Sequence, residues 1–254
     1  MAIVLNTFRE AVRDRVLYNL VAFALILIAS ASLFGEISIG IQKTILINVG
    51  LSSISVFGLF IAIFLGIGLV HKEMDKRSLY ALLSKPIHRW QFVVGKFLGL
   101  IFTLLVNAAF MSVGLWAALY YLTRQFVSQD QYIWAAIYFI LLQLSLVTAV
   151  CLFFSSFSTP VLAAVFTFLI FIIGNFSADI RAFGELTEAL ILKAATTFLY
   201  YLLPHFDDFN IAAWVANGRP VAARLILLNT LYTACYGMAL VVASALIFSR
   251  KDLK

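Results

Sequence analysis

The sequence predicts an all-α polytopic membrane protein with six transmembrane helices, and three observations carry that expectation. Hydrophobic residues make up 63% of the chain and charged ones 12%, whereas about a quarter of a soluble domain is charged. Six apolar runs, near residues 16–34, 51–70, 92–122, 133–154, 161–176 and 225–248, are candidates to cross hydrocarbon about 30 Å thick, the fifth being short. The eighteen Lys and Arg also divide unevenly. Twelve (residues 9, 13, 15, 72, 76, 77, 85, 89, 96, 250, 251 and 254) fall on one side of that six-span layout and six on the other. The positive-inside rule makes the richer side cytoplasmic, with both termini on it. Residues 1–254 read as one domain, without linker, low-complexity tract or internal repeat.

The net charge of +6 and pI near 9.4 follow from this topology, because the basic residues cluster at cytoplasmic helix ends. The expected partner surface is therefore the lipid bilayer and not nucleic acid. Cys151 and Cys235 both fall in apolar runs, so neither a disulfide framework nor a metal site is expected.

Taken in order, residues 2–15 set Ile3, Val4, Phe8, Val12 and Val16 against Arg9, Arg13, Asp14 and Arg15, a pattern suited to a helix lying in the inner interface. The first run carries a weak Ala29-Ser30-Ala31 cleavage pattern, but its long, mixed-charge flank favours a retained span. The third run is longer than a bilayer needs, so one end should project or tilt. Ser155 to Pro160 forms a tight turn, with Pro160 in the first turn of the fifth span. Between the fifth and sixth spans, Leu186 to Leu203 is apolar but interrupted by Glu188 and Lys193. A seventh crossing there would carry Arg250, Lys251 and Lys254 outside. The expectation is instead a re-entrant or interfacial helix ending near Pro204.

The basic island from His71 to Lys96 joins spans two and three and holds six Lys and Arg. Glu73 to Ser84 can form a short amphipathic helix with Leu79, Leu82 and Leu83 on one face, stopped by Pro86. The order Glu73, Arg77-Ser78-Leu79, Leu82-Leu83-Ser84, Pro86-Ile87, Arg89, Gly95-Lys96 resembles the cytoplasmic loop of type-2 ABC transporter permeases. The similarity is greatest to the branch that includes copper-enzyme-maturation and gliding-motility permeases. Arg77-Ser78 stands where that pattern commonly has Gly-Thr. The resemblance implies a cytoplasmic coupling helix, with Glu73, Arg77, Leu79, Leu82, Leu83, Pro86 and Arg89 meeting a separate ABC ATPase subunit. A second weaker likeness lies in Pro204-His-Phe-Asp-Asp-Phe-Asn210, which resembles a run that such permeases carry outside the membrane before the last span. Tyr200, Tyr201, Pro204, Phe206 and Phe209 are the candidate outer gate. A helix cap or interfacial anchor fits that stretch better than a cation site built on His205, Asp207 and Asp208.

No Asp, Glu, Lys or Arg stands near the middle of an expected span, which argues against an ion-coupled carrier or an intramembrane protease. Asn107, Gln143, Ser145, Thr148 and Asn229 are expected to bond neighbouring helices. Gly66-x-Gly68 is expected to allow close helix packing. Gly95-Lys96 matches the end of a phosphate-binding loop, but Trp90 and Phe97 occupy positions where that loop needs Gly and Ser or Thr. No cofactor or catalytic site is expected in this chain, and ATP and Mg would belong to the partner ATPase. The resemblance thus implies a permease of an ATP-driven exporter in the cytoplasmic (inner) membrane, working as a homodimer. The alternative is a membrane anchor or mechanotransmitter driven by the same kind of ATPase.

Overall fold

The computed structural model describes residues 2–37, 41–75, 89–125, 127–186 and 189–250. Among them are ten α-helices, two 3-10 turns and no strand. The fold is all-α, and its long apolar helices make it a polytopic integral membrane protein.

The first helix, α1 (Ala2–Val12), meets α2 (Arg15–Ile37) at a 62° bend. α2 turns Ala24, Ile28 and Ala31 inward at helical spacing and leaves Phe23, Ile26 and Leu27 outward. α3 (Gln42–Asp75) and α4 (Arg89–Thr123) contain 34 and 35 residues, about 50 Å each, well beyond the roughly 30 Å of hydrocarbon. α3 begins nine residues before the expected Leu51. Lys43, the one charge among residues 42–50, is neutralised by buried Asp130, so the helix can extend through it. Asp130 also accepts the Val127 amide at 2.9 Å and fixes the 3-10 turn Ser128–Gln131 that leads into the next span.

α5 (Tyr132–Ser155) forms the centre of the bundle and packs against α3, α4 and two later helices. One is α6 (Pro160–Asn175), which starts at Pro160 after a turn tied by the Ser156 and Ser158 hydroxyls to Phe153 and Phe154 carbonyls. The other is the last helix, described below. A methyl group on Gly66 would stand 2.8 Å from Cys151 Sγ, so this glycine does permit close packing of α3 on α5. Gly68 faces open space.

α7 (Ser177–Leu186) departs from α6 at 57° and packs beside α8 (Leu190–Leu202). α8 has 13 residues, about 20 Å, too short to cross the bilayer alone. It ends just before Pro204, where helical geometry is disfavoured. A second 3-10 turn (Asp207–Phe209), the short α9 (Ala212–Ala216) and α10 (Ala223–Arg250) complete the chain. Four helices are long and apolar enough to cross by themselves. The count rises to six if each bent pair, α1–α2 and α6–α7, is one span.

Part of the apolar side of α1, expected to lie in the interface, packs on the base of α4, and Ile3, Val4, Phe8 and Val12 stay half-exposed. Phe8 meets Phe102 edge-on at 4.7 Å, and Thr7 and Ala11 are fully buried. Gly95 and Gly99 form the notch: a Cβ on either would lie 2.8 Å from Ile3 or 2.6 Å from Thr7. Lys96, between them, is 1% exposed, with Glu10 at 3.8 Å and the Phe92 ring at 5.8 Å. It does not belong with the solvated charges expected of the basic island.

Candidate functional site: a polar cleft beneath the segment after α8

The residues following α8 plug the end of the bundle at which α3 begins, where the Thr44 hydroxyl donates to the Ala216 carbonyl at 3.3 Å. Phe206 is 1% exposed and packs on Phe171 of α6, with ring centroids 5.4 Å apart. Phe209, equally buried, touches Phe139 of α5 and Tyr232 of α10, each at 6.4 Å. The Phe206 amide donates to the Gly174 carbonyl at 3.1 Å. Only glycine tolerates that approach, since a Cβ on residue 174 would sit 2.4 Å from the Pro204 carbonyl oxygen. On the far side the Ser177 hydroxyl donates to Asp207 at 2.6 Å. The His205 amide donates to the Tyr232 hydroxyl at 3.1 Å, and Nδ1 lies 3.2 Å from the same oxygen.

These bonds engage Asp207 and the Nδ1 side of His205, while His205 Nε2 is buried without a hydrogen-bond partner. Among the described residues, no three His, Cys, Asp or Glu side chains gather as a metal site requires. Asp208 reaches solvent, yet crowding by protein raises its carboxyl above the ordinary range. The neighbouring Asp207 adds to that shift, and His205 opposes it.

Directly under the plug lies a cavity of about 210 Å³ between α3, α5 and α6. Its polar lining is Ser52, Ser55, Gln143, Asn175 and Asn210, set against Phe171 and Phe209. Gln143 is the hinge of this arrangement. Its amide donates to the Phe206 carbonyl at 3.3 Å, and its oxygen accepts from Ser55 of α3 at 3.4 Å. The other span polars behave differently. Asn107, Ser145, Thr148 and Asn229 bond carbonyls three or four residues back in their own helices, the usual local alternative for such side chains. The expectation of interhelical bonds therefore holds for Gln143 and not for these four. The cleft's lining offers hydroxyls and amides and carries no charged side chain, which suits hydrogen bonding to a polar ligand.

A bundle of long apolar helices surrounding an uncharged cleft fits a transport subunit. The sequence comparison makes the assignment, matching the family described as ABC-2 family transporter protein over residues 1–253. The chain belongs to the ABC-2 transporter family. No curated protein matches the sequence. ABC-2 membership makes the protein an integral membrane permease subunit of an ABC transporter, a role that in general pairs it with an ABC ATPase.

The sequence-predicted site residues of this ABC-2 permease divide sharply. Arg77, Leu79, Leu82, Leu83 and Pro86 lie outside the described residues. Glu73 is in the last turn of α3 and Arg89 opens α4, but their side chains are likewise outside the description. Of the gate candidates, Pro204, Phe206 and Phe209 are buried, Tyr200 is half-buried, and Tyr201 is 74% exposed. Tyr200 lies edge-on to His205 at 4.2 Å, with the Arg181 guanidinium 5.2 Å from its ring. The five thus form an inner anchor and an outer rim. Ser52, Ser55, Asn175 and Gly174 were not singled out from the sequence. The available signal was the presence of small and amide side chains within apolar runs.

Proposed function

We propose that this permease is the membrane half of an exporter in which two copies of the chain work with a separate ATPase in the cytoplasmic membrane. The uncharged polar cleft on the α3–α6 side is the observation that carries this reading. It offers hydrogen bonds to a passing substrate within hydrocarbon, at a cost far below that of a charge. Nine large apolar residues of α6 and its C-cap, from Val161 to Phe176, are left exposed, which suits contact with a second copy across a shared pathway.

Six spans, made by α2, α3, α4, α5, α6 and α10, keep both termini cytoplasmic and satisfy the positive-inside rule. The extra length of α3 and α4 supports a stalk below the bilayer that presents Glu73 to Arg89 as the coupling element. Phe206 and Phe209 anchor the outer gate, and Tyr200, Tyr201 and Pro204 form the part that moves when the pathway opens. The short α7–α8 hairpin serves as the re-entrant or interfacial segment. Its exposed Ile191, Phe198 and Tyr201 also favour the second reading, in which the hairpin transmits force to an extracytoplasmic partner.

Reconstitution with the ATPase separates these readings. Leu82→Asp places a charge on the coupling face, so the ATPase should leave the membrane or hydrolyse ATP independently of the permease. Asn175→Leu should keep assembly and basal hydrolysis but lose stimulation by candidate lipids, peptides or drugs. Stimulation unchanged in Asn175→Leu would remove the cleft from the pathway. Wild-type assembly and turnover in Leu82→Asp would remove the coupling assignment.

A further inference from the structure

Docking on α4 determines what α1 shows to its surroundings. Ile3, Thr7 and Phe8 go to α4, and Ala11 is buried. Glu10 turns to Lys96 at 3.8 Å. Asp14 is half-buried and has its own partner. The residues left exposed are Leu5, Asn6, Arg9 and Arg13. Leu5, Arg9 and Arg13 follow at four-residue intervals along one side of the helix. The outward face is therefore cationic, while the acids beside it are engaged elsewhere.

Arg13 stands in the turn between α1 and α2, four residues before Leu17, the first residue of α2 described as buried. Arg13 is exposed at the start of the apolar run that forms α2, the position where basic side chains reach for the headgroup layer.

We propose that Arg9 and Arg13 form a binding surface for anionic phospholipid headgroups at the membrane surface where α2 enters the bilayer. Charge complementarity selects the occupant. The guanidinium fork pairs with a phosphate through two parallel hydrogen bonds, and neither arginine has a carboxylate within salt-bridge distance among the described residues. Because the glycine notch fixes α1, the two arginines are presented on a rigid element and little ordering is lost on binding. Each arginine near an anionic surface favours association by about fivefold. The inference does not depend on the transporter reading.

The test uses the full chain in lipid discs of phosphatidylcholine with phosphatidylglycerol. Asn6→Cys carries a fluorescent donor on a Cys235→Ser background, Cys151 being fully buried. Energy transfer to acceptor-labelled phosphatidylglycerol, compared with phosphatidylcholine carrying the same acceptor, reads local enrichment. We expect at least about fivefold enrichment of the anionic lipid. It should weaken in high salt and fall close to one in the Arg9→Gln/Arg13→Gln variant. Arg9→Lys/Arg13→Lys should retain much of it. Removing two exposed charges elsewhere, in Arg219→Gln/Arg224→Gln, should leave it intact. Unchanged enrichment in the first pair, or equal loss in the Arg219/Arg224 pair, would overturn the proposal. So would loss of the ATPase from the Arg9/Arg13 variant with lipid enrichment preserved, which would make the stripe a protein interface.

Discussion

α5 and α6 are adjacent apolar helices that the protein uses in opposite ways. α5 buries fifteen of its 24 residues, whereas α6 buries only Ala163, Thr167 and Gly174 of its 16. Apolarity does not separate them, because lipid tails are as apolar as Leu and a bilayer exerts no hydrophobic drive to bury one. The difference lies in the small and polar side chains. α5 carries Gln143, Thr148, Cys151 and Ser155 among its buried residues, interleaved with small alanines. α6 is mostly Phe, Ile, Leu and Val, with its few small residues confined to the contact side. The segment following α8 bridges the two helices. Phe206 reaches α6, Phe209 reaches α5, and Gln143 ties the junction.

Removing the anchor should break that bridge most severely. Phe206→Ala empties a fully buried site and should cost about 3–5 kcal/mol, read as a large fall in the thermal midpoint of the purified protein. Phe168→Ala on the exposed side of α6 is the matched control. Phe168 is 41% exposed, so its loss should stay within about 0.5 kcal/mol in the isolated chain. Equal losses would show that the burial contrast between the helices has no energetic meaning.

Gly174→Ala comes next. Its new methyl would stand 2.4 Å from a backbone carbonyl and 2.6 Å from the Phe206 ring. The carbonyl is not a flexible side-chain tip, so the plug must shift, at about 1–3 kcal/mol. A midpoint equal to the parent's would mean that the plug yields freely and is a poor anchor.

Gln143→Leu should have a smaller effect, about 1 kcal/mol, because both of its bonds are long and membrane hydrogen bonds contribute modestly. Hydrogen exchange sharpens the comparison. Amides of Phe206 to Asn210 should exchange faster in this variant, while those at the base of α4 should not change. Uniform acceleration would point to global destabilisation and remove Gln143 as a local tie.

Much of the architecture was legible in the sequence because it depends on local signals. Apolar run length gave the membrane helices, Pro160 marked the start of α6, and Pro204 marked the end of α8. The docking of α1 on α4 was not legible, because a helical period cannot identify a partner helix ninety residues away. Gly95-x-x-x-Gly99 was the available clue, since paired small residues admit a close neighbour. The cleft was also hidden. Ser52, Gln143, Asn175 and Asn210 are far apart in the chain, and only the return of the outer segment brings them together. Nothing local distinguishes Gln143, which bridges, from Asn107, which bonds its own helix.

The smallest predicted effect concerns charge at the plug. Asp208 lies next to Asp207, in surroundings that withhold water, so its carboxyl is raised above the usual range. An acid raised in the fold binds its proton more tightly there than in the unfolded chain. The associated stability is fully present below the unfolded pKa and is lost as pH rises through the folded pKa. At neutral pH the ionised carboxylate therefore works against the outer segment. Asp208→Asn removes that charge while keeping the shape, and should raise the thermal midpoint slightly at about pH 7. The gain should shrink towards zero near pH 3, where the parent's own carboxyl is protonated in both states. A variant less stable than the parent at neutral pH would mean that Asp208 holds the plug as a charged partner. In that case the aromatic anchors would not be the plug's main restraint.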